Sequence, residues 1–161
     1  MGSATVLFEG SARTLLIAHA VFGFAAVFAA THHATSSILA ASGRPARAQL
    51  QRFGSIAPVA VVAQAAFGLA VYPAYRVRVR LAHLELTAPA VAELFEVKEH
   101  FAALAIALVV AASLAGRALP PRPPLAEARS VAALSACGAA LLWAAALIGL
   151  YVTVRHPVGF S

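Results

Sequence analysis

From Val131 to Val154 the chain reads VAALSACGAALLWAAALIGLYVTV, with no charged residue anywhere in the run. A bilayer hydrocarbon core about 30 Å thick takes roughly 20 apolar residues of helix per crossing, so this stretch is long enough to span one. It is rich in Ala and Leu and does not alternate in short pieces as barrel strands do. A helix is the way such a segment satisfies its backbone in lipid.

Three further runs of the same kind lie upstream: Thr14 to Leu39, Phe53 to Tyr72, and Leu94 to Leu114. The first is longer than the apolar part of a cleaved signal peptide and is expected to remain as a span. Of the 161 residues, 61% are hydrophobic and only 11% charged, a composition that excludes an ordinary soluble domain. The expected fold is an all-α membrane protein in one domain, residues 1–161. It is an up-down-up-down bundle of four transmembrane helices near 13–40, 53–73, 90–117 and 129–154, with a short interfacial segment between helices 2 and 3. A bacterial inner (cytoplasmic) membrane is the expected location.

The connecting segments carry nearly all the charge. With both termini on one side of the membrane, side A, the loop Ser42 to Arg52 and the Pro-rich connector Arg117 to Arg129 fall on the opposite side, side B. Side A has Arg13, Arg76, Arg78, Arg80, Lys98 and Arg155, and side B has six arginines, so the positive-inside rule does not orient the chain. The net charge of +6 reads as anchoring at lipid headgroups and not as nucleic-acid binding. A single cysteine, Cys137, allows neither an internal disulfide nor a CxxC pair.

Between helices 2 and 3, Tyr75-Arg76-Val77-Arg78-Val79-Arg80 alternates strictly, which predicts an extended ribbon at the headgroups. Pro89 suits the first turn of the third helix, where a missing N–H costs nothing. That helix is expected to begin outside the lipid, carrying Glu93, Glu96, Lys98 and Glu99 inward.

Ionisable groups inside spans are costly and mark candidate sites. His19 lies about five residues into the first run and His100 about six into the third, which enters from the same side, so both are placed at similar depth. Two neutral imidazoles on parallel helices at matching depth are what the axial positions of a haem iron need. Gly23, one turn after His19, offers room for a porphyrin face, as Gly68 and Gly149 do from helices 2 and 4. Arg76, Arg78 and Arg80 stand where propionates would emerge, or where lipid phosphates would be met. The competing reading for His19 and His100 is an interhelical hydrogen bond or a Glu-to-His contact.

His33 follows His19 by fourteen residues, which at 100° per residue returns it to nearly the same face about 21 Å further along. This spacing resembles the cytochrome b proteins of quinol-oxidising complexes, in which one helix supplies a ligand to each of two stacked haems. Here it stops halfway, because helix 3 has no second histidine. His32 and His33 remain secondary candidates for a quinone, a metal or a partner, or are simply interfacial polar residues. Glu96 and Glu93 share a helical face with His100 and could serve a proton path or a metal. Gln64 and Trp143 are expected to pack and hydrogen-bond, and His83 and His156 to be interfacial.

Four helices with one histidine on each of two parallel ones resemble the small b-type cytochrome subunits that anchor respiratory dehydrogenases and reductases. The resemblance covers the helix layout, His19 and His100. It implies one haem b and electron exchange with quinone or a respiratory partner, within other membrane subunits or a homo-oligomer. The alternatives are a cofactor-free accessory subunit and, ranked last, a metal or proton transporter.

Overall fold

The computed structural model describes residues 6–155, and the side chain of Arg155 together with His156 lies outside what is described. Among the described residues there is no strand, and four helices are long and apolar enough to cross a membrane. They are α1 (Ala12–Ala41), α2 (Arg47–Ala74), α3 (Pro89–Ala118) and α4 (Leu125–Arg155). A 3-10 turn, Glu9–Ser11, precedes α1.

What these helices hide and show is the inverse of a soluble bundle. The buried cluster is made mostly of small residues, among them Ala26, Ala29, Ala30, Ala57, Ala105 and Ala139, with Val61 and Val109. Small residues let membrane helices approach closely, so that dispersion and not apolar burial holds them together. The large apolar side chains point outward: Phe24 is 79% exposed, Leu69 74% and Val59 69%. Such a surface needs lipid as its solvent.

Contacts between α1 and α2 follow one register. His19 lies on Gly68, Gly23 on Gln64, and His33 on Gly54, so the two helices pass each other in opposite directions. On the other pair, Gly138 receives Val109 and Gly149 receives Lys98, giving α3 and α4 the same opposed relation.

The helices are longer than the apolar runs. α2 starts at Arg47, just after Pro45, and α4 starts at Leu125, just after Pro123 and Pro124. Hydropathy marks where the chain enters lipid, whereas helix starts are set by Pro and by hydrogen bonding. α2 also carries Pro58 in its interior, which has no N–H to give the Gly54 carbonyl.

The segment after α2 departs from the extended ribbon expected of its alternation. Tyr75–Leu84 is wound as a π-helix continuing α2, followed by one short α-helical turn, Glu85–Thr87. The continuous helical stretch is 41 residues, Arg47–Thr87, roughly 60 Å at 1.5 Å per residue and so about twice the hydrocarbon thickness. Arg78 and Arg80 find partners by helical placement. Arg78 Nε donates to Glu9 at 2.6 Å, Arg80 Nε donates to Glu85 at 3.0 Å, and Arg80 also pairs with Glu96 on α3. Tyr75 stacks on Phe95 of α3 with centroids 4.2 Å apart. Continuing the helix satisfies the backbone locally, which a lone ribbon with unpaired edges does not.

Candidate functional site

His19 is half-buried on α1 and turned toward α2. Its Nδ1 donates to the Gln64 carbonyl at 2.9 Å. A carbonyl only accepts, so a proton sits on Nδ1, and in the neutral ring Nε2 keeps its lone pair. Its ring fills the gap left by Gly68: a Cβ there would fall 2.9 Å from the imidazole Cε1. Gly23 faces Gln64 Cγ at 3.8 Å, an ordinary contact.

Fourteen residues on, His33 is 1% exposed. Ser135 of α4 donates to the Val131 carbonyl at 2.7 Å, and its oxygen accepts from His33 Nδ1 at 3.2 Å. Ser37 adds a 3.1 Å hydroxyl contact to Ser135. His33 Nε2 is buried with no hydrogen-bond partner. It lies between two glycines, 3.4 Å from a Cβ built on Gly54 and 3.5 Å from one on Gly116. A Cβ at either position would make an ordinary van der Waals contact with the ring.

His19 and His33 therefore form two levels on one seam, each imidazole oriented through Nδ1 and each set against a glycine of α2. Gly54 and Gly68 are themselves fourteen residues apart. Orienting an imidazole through one nitrogen and leaving the other as a lone-pair donor is how ligating histidines are held. Among the described residues neither level offers a second inward histidine, and no group of three or more His, Cys, Asp or Glu side chains is placed to hold a metal ion.

His100 lies elsewhere. It is exposed on the outer face of α3, with Nδ1 donating to the Glu96 carbonyl of its own helix at 2.8 Å. The structure does not bring it against His19. The inward position at this level belongs to Lys98, two residues earlier and so about 200° around the helix. Its Cε packs 3.3 Å from the place of a Gly149 Cβ, and its ammonium stands 4.6 Å from the Phe95 ring centroid. The sequence reading missed Lys98 as an interior group. The signal was its spacing from Ala105, Val109 and Gly116, which repeats at seven and eleven residues, the period of one helix face.

His32 is exposed, its ring stacked on Phe53 at 4.8 Å and beside Phe28 at 4.3 Å. Arg78 and Arg80 are committed to glutamates, while Arg76 is exposed with no ion-pair partner among the described residues. Glu96 is held by Arg80, and Glu93 lines a small cleft with Arg80 and Glu85. Trp143 Nε1 donates to Thr31 at 3.0 Å and ties α4 to α1. Gln64 Oε1 is buried without a partner.

No protein family, no curated protein and no solved structure matches this chain.

Proposed function

We propose that this chain is a b-type electron-transfer subunit of a membrane, an up-down-up-down bundle of four spans with Tyr75–Thr87 at the interface on side A, exchanging electrons with a quinone or a respiratory partner. The observation that carries the reading is the pair His19 and His33. Both are imidazoles oriented through Nδ1, fourteen residues apart on α1, and each faces a glycine of α2.

Each imidazole is chemically suited to a haem iron, but only His19 is half-buried; His33 is 1% exposed between Gly54 and Gly116, so a haem at that level would require the helices to part. Lys98 would serve as an interior cation for a propionate at the side A level. A haem iron, when bound, supplies one-electron transfer. The chain's own part is to hold each imidazole in one tautomer, through the Gln64 carbonyl and the Ser135 hydroxyl, and to keep water from the bundle core with small apolar residues. His100, with Nε2 uncommitted on the outer face, favours a protein that works against a neighbouring subunit or a second copy.

The burial of His33, 1% exposed between Gly54 and Gly116, favours a second reading, a cofactor-free accessory subunit in which the imidazole itself fills the space. Pyridine haemochrome and reduced-minus-oxidised spectra of protein produced with ample haem separate the two. A b-type signal that weakens in His19→Ala and His33→Ala and persists in His32→Ala is expected, and the same spectra of His100→Ala read the contribution of the outward imidazole. Absence of any b-type signal overturns the haem reading, and full haem retention in both His19→Ala and His33→Ala shows that other residues hold it.

A further inference from the structure

The side B end of the bundle holds a cavity of about 420 Å³ between the end of α1, the loop to α2, and the Pro-rich connector into α4. Its walls are apolar, with Leu50, Leu119, Leu125 and Val131, and its floor includes the hydroxyl-bearing Ser37. The connector is held in place as a wall because Arg47 donates to the carbonyls of Pro120 at 2.7 Å and Leu119 at 3.1 Å.

Arg44 and Arg122 also line this cavity, both exposed, and neither guanidinium makes an ion pair or hydrogen bond among the described residues. The contrast with side A is sharp in charge. There, Arg78 and Arg80 are neutralised by Glu9, Glu85 and Glu96. On side B six arginines face one glutamate, Glu127, and none of the six is salt-bridged among the described residues. Two helix starts, those of α2 and α4, open on the same cavity, and their free N–H groups add to the positive field.

We propose that this cavity is a headgroup site for one anionic phospholipid. The phosphate diester pairs with Arg44 and Arg122, whose guanidinium forks match its oxygens, and the glycerol and first methylenes lie on the leucine and valine walls. Apolar walls alone would suit any phospholipid, and the diester is common to all; the unpaired arginines favour a headgroup that adds no cation of its own and so keeps a net negative charge. The volume is that of a small-molecule site, and the end of the bundle is at headgroup depth, where juxtamembrane cations attract acidic lipids. The site is independent of the haem reading, since it uses none of the α1 histidines.

The test is native mass spectrometry of the full chain released from detergent after equilibration with phosphatidylglycerol, phosphatidylcholine or inorganic phosphate. One retained phosphatidylglycerol per chain is expected, in clear preference to phosphatidylcholine. Arg44→Gln and Arg122→Gln should each weaken retention about fivefold, the worth of one cation near an anionic lipid. Leu125→Trp, at a half-exposed wall position that tolerates a larger side chain, fills the cavity while keeping both arginines and should abolish retention. Equal retention of the two lipids, or retention untouched by Leu125→Trp, overturns the proposal. Displacement of the lipid by millimolar inorganic phosphate shows a free-phosphate site instead and overturns it too.

Discussion

The ring of His19 occupies the place that a side chain on Gly68 would take, with a Cβ there only 2.9 Å from the imidazole Cε1. Gly68→Ala therefore has to push the ring off the Gln64 carbonyl. It should destabilise the bundle by about 1–3 kcal/mol, as overpacking does. Gly23→Ala, whose Cβ would meet Gln64 Cγ at a normal 3.8 Å, should be close to neutral. Unfolding in detergent for both variants, and for Gly68→Ala combined with His19→Ala, gives the coupling; no rescue in the double variant would separate the two residues.

At the other level, Ser135 joins His33 and Ser37. Ser135→Ala leaves a buried imidazole N–H without an acceptor and should cost about 1–3 kcal/mol. Ser113 is equally buried, yet its hydroxyl has no partner. Ser113→Ala should be neutral or stabilising in the same denaturation assay, and a loss as large as that of Ser135→Ala would reveal a hidden partner.

The π-helical segment is fastened to α3 by Val79 and Leu84 packed with Ala92, by Tyr75 on Phe95, and by Arg80, which pairs with Glu96 as well as with Glu85 of the following turn. Arg80→Gln should raise hydrogen-exchange rates across residues 75–84 while leaving the four spans protected. Glu9→Gln removes a single exposed pair and should have a much smaller effect, vanishing at high salt. Equal effects from the two variants would mean that the Arg80–Glu96 pair holds the segment no better than an exposed surface pair does.

Exposure separates His100 from Lys98. His100→Leu, on the outer face, should change the stability of the isolated chain by less than about 0.5 kcal/mol. Lys98→Asp should be severely destabilising, because it sets a carboxylate beside an apolar helix contact at Gly149. Thermal unfolding of both in one detergent checks the assignment, and the reverse ranking would put His100 inside.

Much of this is legible in the amino-acid sequence. Continuous apolar runs fix four helices, because lipid offers no other way to satisfy so much backbone. The fourteen-residue interval between His19 and His33 placed them on one face by geometry alone, and both rings do lie along α2. Pro89 marked the start of α3, where the structure has it. The alternating arginines misled, since a period of two signals a strand only where a neighbouring strand is available to pair.

What the sequence alone determined is therefore the number of spans, the charge of the two ends and the stacking of two histidines on α1. Which side of α3 faces inward was decided only by tertiary packing. In lipid a helix is apolar all round, so no amphipathic stripe announces its buried face. The choice between His100 and Lys98 falls to small residues such as Gly149 and Gly116, which set where helices can touch. The same close packing seats His33 between Gly54 and Gly116 and leaves His100 on the outer face of α3.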